Sequence, residues 1–169
     1  IDLALEALEA IQDENWQFVL LGTGSDELER QAQAFANDLE QRVRVILRFD
    51  SSLARRIYAG ADMLLVPSRY EPCGLAQLIA MRYGCVPVVR ETGGLKDTVL
   101  PYDHGRGTGF LFMETEPQAL TSVIRQALKV YHSAEDWKAL QLRCMRQNHS
   151  WENTATQYLQ LYEQMIANE

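Results

Sequence analysis

Apolar positions along this chain alternate between two rhythms, one of period 3.6 and one of short unbroken runs. Ile1, Ala4, Leu5, Leu8 and Ile11 share one helical face. Trp16 to Leu21 is then a short apolar run that ends in Gly22-Thr23-Gly24, as a buried strand ending in a turn would. Ser25, followed by Asp26 and Glu27, marks a helix start with acids at the positive end of its dipole, and Leu28, Ala32, Phe35, Ala36 and Leu39 carry its stripe. Val43 to Phe49 predicts a second strand, and Ser51 or Ser52 caps a helix that ends near Gly60. Met63 to Val66, Val86 to Val89 and Gly109 to Met113 predict three more strands. A helix from about Gly74 to Tyr83 separates the first two of these, and Gly93-Gly94 opens a short helix after the second.

Three helices close the pattern. Pro117 suits a first helical position, with Leu120, Val123, Ile124, Ala127, Leu128 and Tyr131 at helical spacing. Ser133 and Asp136 form a capping-box pattern for the next. Ser150 caps the last, where Ala155, Tyr158, Leu159, Tyr162, Met165 and Ile166 line one face. Apolar strands alternating with helices imply an α/β fold, a Rossmann-like parallel sheet with helices on both faces. With 169 residues and no repeat or low-complexity stretch, residues 1–169 read as a single domain. In such folds ligands sit beyond the carboxyl ends of the strands. Attention therefore falls on four loops: residues 22–25, 49–52, 67–75 and 90–95.

Composition narrows the functional classes. A net charge of −7 argues against a nucleic-acid surface, which needs clustered Lys and Arg. No apolar run approaches the roughly 20 residues that span a bilayer, so no membrane partner is expected. Cys73, Cys85 and Cys144 are an odd number at unrelated spacings, and His104, His132 and His149 have no ligand spacing. No metal site is expected, and the free thiols suit a reducing compartment.

The richest loop runs Pro67-Ser68-Arg69-Tyr70-Glu71-Pro72-Cys73-Gly74-Leu75, out of a strand and into a helix. Amides at a helix start lack intrahelical partners and, with the dipole, form a phosphate site. Gly74 lets a ligand approach the backbone. Glu71 would repel phosphate, so it either faces a sugar or simply starts the helix. Glu91-Thr92-Gly93-Gly94-Leu95 is a second strand-to-helix loop, whose paired glycines permit close approach to an anion. A Gly-Gly turn without function is common, so this loop alone is a weak signal.

Taken whole, Pro67 to Val99, PSRYEPCGLAQLIAMRYGCVPVVRETGGLKDTV, closely resembles the glycogen/starch synthase family, retaining glucosyltransferases of the GT-B fold. Leu20 to Gly24, Ala59-Gly60-Ala61-Asp62 and the closing Ser150-Trp151 segment also resemble it, so the likeness covers nearly the whole chain. It implies the C-terminal half of a GT-B fold without its first strand, which belongs in the middle of the sheet. It further implies that residues 150–169 form a helix reaching toward an N-terminal domain absent from this chain.

The resemblance implies transfer of glucose from ADP-glucose to the non-reducing end of an α-1,4-glucan, with retention; no cofactor is implied, since ADP-glucose is a substrate. Glu71 matches the active-site glutamate beside the donor glucose. Cys73, Gly74 and Leu75 match the backbone that receives the distal phosphate, and Gly93 and Gly94 match a loop bordering the cleft. Phe49 matches an aromatic that stacks on adenine, although the residues alone read it as a strand-end core phenylalanine. A stacking aromatic accepts uracil as readily as adenine, so the donor base stays open. Ala76 departs from a frequent threonine, Ser25 from a frequent aspartate, and Ile79 from the second glutamate of related GT-B enzymes.

Two other classes remain: a non-catalytic nucleotide- or glucan-binding module, and a GT-B glycosyltransferase with another acceptor. The resemblance places the Arg and Lys that neutralise the leaving diphosphate upstream of Ile1. The chain alone is therefore expected to be inactive and to bind ADP weakly. Bacterial cytoplasm and plastid stroma both fit.

Overall fold

A computed structural model of the protein describes residues 1–167. In chain order the elements are α1 (Asp2–Glu9), β1 (Phe18–Leu21), α2 (Asp26–Asp38), β2 (Val43–Ile46), α3 (Ser51–Gly60), β3 (Met63–Val66) and α4 (Ala76–Tyr83). There follow β4 (Val86–Arg90), α5 (Gly93–Thr98), β5 (Phe110–Phe112), α6 (Pro117–Tyr131), α7 (Ala134–Met145) and α8 (Trp151–Ala167). Every strand pairing is parallel. β1 pairs with β2, Phe18 opposite Val43, and β3, β4 and β5 pair in that order, with Met63 opposite Val86 and Val88 opposite Phe110. The α/β parallel architecture agrees with the expectation from the sequence.

β4 is the interior strand of its sheet, and its first four residues are buried, as an apolar run with neighbours on both sides should be. Its inward side chains Val86 and Val88 meet Phe110, Met81, Leu120, Ile124, Trp137 and Leu140 in the main core. α1 joins that core from the far side through Leu3, Ala7, Leu8 and Ile11, packed along α6. α6 begins with Pro117 at a first-turn position, and Leu120, Val123, Ile124, Ala127 and Leu128 form its buried stripe.

The other strands are less enclosed than their apolar sequences suggest. β1 and β3 are not paired with each other, so the described strands form two sheets rather than one. Val19 is 44% exposed, and all four residues of β3 are only half-buried.

Four local expectations change. β2 stops at Ile46, where the Arg48 amide turns back onto the Ile46 carbonyl (3.0 Å), so Leu47 to Phe49 leave the sheet. Phe49 is consequently 89% exposed and is not a core residue. α3 is capped by Asp50, not by Ser51 or Ser52: its carboxylate accepts the Leu53 amide at 2.9 Å. α4 begins at Ala76 rather than Gly74, because Gly74 sits at φ +73° and cannot belong to a right-handed helix. Ser133 does precede α7, but its side chain makes no capping bond, so the capping box is not formed.

α8 stands away from this core. Trp151, Tyr158, Leu159, Tyr162, Met165 and Ile166 are all exposed along it, and residues 168–169 of the expected closing helix lie outside the described residues. No helix among the described residues is long and apolar enough to cross a membrane.

Two outcomes test this packing. Leu120 is fully buried, so Leu120→Ala should lower unfolding free energy by about 2–5 kcal/mol in urea denaturation, whereas an equal change at exposed Leu159 should not. The Asp50 carboxyl is held below its usual value, first by the Leu53 amide and then by Arg48. A folded-state value below the unfolded one stabilises at neutral pH and is lost as pH falls through the lowered value. Asp50→Asn caps without titrating, so it should flatten the decline in melting temperature between roughly pH 5 and pH 2.

Candidate functional site

β3 and β4 are parallel neighbours, so the loops leaving their carboxyl ends emerge side by side. One is the 67–75 loop, the other the 90–95 loop. They are joined main chain to main chain: the Gly94 amide donates to the Glu71 carbonyl at 3.1 Å. A Cβ at Gly93 would collide with that same carbonyl oxygen, and a Cβ at Gly94 with the carbonyl oxygen of Cys73. Gly93 also takes a left-handed φ of +44°. The paired glycines are therefore required by the approach of one backbone to another.

Arg90, the last residue of β4, fixes the same loop from its other side. Its guanidinium donates to the Ser68 carbonyl at 3.2 Å, the Arg69 carbonyl at 2.7 Å and, through Nε, the Met113 carbonyl at 3.1 Å. Arg69 reaches across to Asp2 at 2.5 Å, tying the loop to α1. The Asp2 carboxyl is lowered chiefly by the Leu3 amide, with Arg69 assisting. Ser68 Oγ donates to Glu71 Oε2 at a long 3.4 Å.

The result is a half-buried glutamate whose main chain is fixed, followed within a few residues by the start of α4. Leu75 occupies the N-cap position and provides no side-chain cap, so the first amides of α4 keep their donor capacity. Cys73 and Leu75 beside them are exposed, Leu75 by 66%. The arrangement can receive an anion at the helix start while presenting a carboxylate to whatever that anion carries. Its positive charge is modest. Arg69 is paired with Asp2, Lys96 with Glu91 at 3.0 Å, and Arg90 is turned into backbone carbonyls. Among the described residues no group of three or more His, Cys, Asp or Glu could hold a metal ion.

Of the residues singled out from sequence, Glu71, Cys73, Gly74, Leu75, Gly93 and Gly94 belong to this locked pair of loops. Phe49 does not; it projects from the loop after β2, in the other sheet. Sequence reasoning did not single out Arg90 or Gln77. Gln77 is fully buried, with Nε2 donating to Cys73 O, Gly74 O and Thr98 Oγ1. An uncharged polar residue on the inward face of α4 was the available signal, since buried polar groups ordinarily have named partners. The remaining thiols are remote from chemistry: burial pushes both Cys85 and Cys144 up to about 12, and Cys144 Sγ donates to the Thr108 carbonyl at 3.0 Å.

Comparison with known proteins accords with this geometry. The chain is 44% identical over 168 residues to a glycogen synthase of Desulfitobacterium hafniense, covering 98% of this chain and 36% of that protein. It is 47% identical over 163 residues to a glycogen synthase of Anaeromyxobacter dehalogenans, covering 96% of this chain and 34% of that one. The chain thus spans about a third of the length of these relatives. Among solved structures it superimposes on the catalytic domain of starch synthase IV from Arabidopsis thaliana bound to ADP and acarbose. The TM-score is 0.86 and the identity 32%, over 98% of this chain and 36% of that one. Sucrose-phosphate synthase from Thermosynechococcus elongatus follows at a TM-score of 0.72 and 26% identity, over 99% and 42% of the two chains. The fold is that of the Rossmann-like C-terminal domain of a GT-B glycosyltransferase. The model of the glycosyl transferases group 1 matches residues 1–140, and the chain belongs to that family.

Proposed function

We propose that the chain is the nucleotide-sugar-binding domain of a glycogen/starch synthase that moves glucose from ADP-glucose to the non-reducing end of an α-1,4-glucan, with retention. The observation that carries this reading is the Glu71 main chain pinned by the Gly93-Gly94 turn a few residues before the uncapped start of α4. ADP in the Arabidopsis starch synthase supports a nucleotide as ligand.

In this reading the amides at Cys73, Gly74 and Leu75 receive the distal phosphate. Glu71, the catalytic residue, faces the glucose and stabilises positive charge developing at its anomeric carbon. Gly93 and Gly94 border the cleft. Phe49, exposed on the loop after β2, stacks on the base. No cofactor takes part, because the nucleotide sugar is itself the substrate.

A diphosphate leaving group carries more charge than this site opposes, since its nearby cations are already engaged. The complete catalyst therefore includes a second, N-terminal GT-B domain that brings further cations and the glucan contacts. The exposed apolar side chains of α8 suit docking on such a partner, and the edges of β1 and β3 left without a strand neighbour suit a further strand of this domain's own sheet. Bacterial cytoplasm and plastid stroma are both compatible sites of action.

Titrating the isolated chain with ADP and following its amide resonances tests the reading. ADP should shift Gly74, Leu75, Ala76, Gly93 and the Phe49 ring, with a dissociation constant on the order of 1 mM. Shifts confined to other loops would overturn the assignment. The isolated chain should not elongate glycogen from ADP-glucose. Joined to the N-terminal half, it should, and Glu71→Gln should reduce turnover there by roughly 10²–10³-fold.

A further inference from the structure

Gln77 is one of two buried polar residues among the described residues, and it is the one bonded both to the 67–75 loop and to Thr98 of α5, the helix that the other site loop enters. Its Nε2 has two hydrogens and three acceptors in reach: Gly74 O at 2.9 Å, Thr98 Oγ1 at 3.0 Å and Cys73 O at 3.3 Å. Thr98 passes the link on, its hydroxyl donating to the Gly94 carbonyl at 2.5 Å. Gly94 in turn donates its amide to Glu71 O at 3.1 Å. The bonds close a ring: Glu71 to Gly94, Gly94 to Thr98, Thr98 to Gln77, and Gln77 back to Cys73 and Gly74.

We propose that Gln77 is a positioning residue that clamps the Glu71–Gly74 loop onto the Gly93-Gly94 turn and so sets where the Glu71 carboxylate and the α4 amides stand. The chemistry selects an amide. Three facing groups are acceptors toward Nε2, so an apolar side chain would leave the loop carbonyls unbonded and a carboxylate would repel them. The donor is used at a cost to the rest of the side chain, because Gln77 Oε1 is buried with no hydrogen-bond partner. An unsatisfied acceptor retained in a buried position fits a group kept for what its other end does. Only the purpose of the clamp rests on the proposed function; the clamp itself does not.

Hydrogen exchange on the whole 169-residue chain tests it without any ligand. In Gln77→Met, close in shape but unable to donate, protection of the Gly94 amide should fall by roughly tenfold or more. The Phe18 amide, bonded to Arg42 O, and the Val86 amide, bonded to Asp62 O, should keep theirs. Gln77→Glu supplies a second reading and covers the case where the methionine variant fails to fold. Its carboxyl can donate only while protonated, so Gly94 protection should be retained at low pH and lost as pH rises through the ionisation of that carboxyl. Unchanged Gly94 protection in Gln77→Met, equal loss at all three amides, or no pH dependence in Gln77→Glu would overturn the proposal. If ADP then fails to shift the wild-type chain, that result counts against the proposed function and leaves the clamp standing.

Discussion

The site depends on two loops that meet main chain to main chain, one backbone amide bonded directly to a carbonyl of the other loop. Gly94 donates to Glu71 O, and neither Gly93 nor Gly94 has room for a Cβ. Contact of this kind transmits position stiffly, because backbone carbonyls lack the rotamer freedom by which side chains absorb a shift. Glu71 is thus anchored at its main chain by the turn after β4, while Arg90 holds the carbonyls of Ser68 and Arg69 just before it. A carboxylate that acts by preset electrostatics needs this kind of anchorage, since any reorientation during reaction would subtract from its effect.

The core explains why the anchorage holds. β4 is the only strand flanked on both sides in the described structure, and it supplies Arg90 directly and the Gly93-Gly94 turn three residues later. Val89, Leu95 and Val99 form a small buried cluster under that turn, so α5 is packed as well as hydrogen-bonded. The fixed half of the site therefore grows out of the most enclosed strand. Phe49 grows out of the more exposed two-stranded sheet, where β1 has an open edge. In the proposed reading, a fixed Glu71 main chain and an exposed Phe49 ring suit a phosphate-and-sugar region that must be exact and a base region that need only be flat.

Much of this was legible in sequence where a single segment carries its own reasons. The apolar runs gave five parallel strands, Pro117 placed the start of α6, and the two Gly-bearing strand-to-helix loops marked the site. What escaped depends on contacts between segments. Phe49 reads as core only if β2 continues, and the turn from Arg48 onto Ile46 that ends the strand has no strong local signal. Asp50 outcompetes two serines as cap because the helix begins one residue after it, a boundary that residue preference alone does not fix. Gln77 and Arg90 are illegible for the same reason: Gln77 reaches the Thr98 hydroxyl 21 residues on, and Arg90 the Ser68 carbonyl 22 residues back, separations at which residue preference gives no signal.

Exposure and charge point to the same division of labour. The described domain holds its own carboxylate, helix start and turn in place by internal bonds, yet leaves apolar side chains of α8 and the edges of β1 and β3 uncovered. It also leaves the start of α4 short of free positive charge, since Arg69, Arg90 and Lys96 all have internal partners. Burying α8 and adding opposing cations are different physical needs, and in the proposed reading a single neighbouring domain answers both. In that reading this domain holds one face of a cleft rigid, and the other face supplies the charge that a diphosphate would require, because a helix dipole beside three internally engaged cations does not neutralise it.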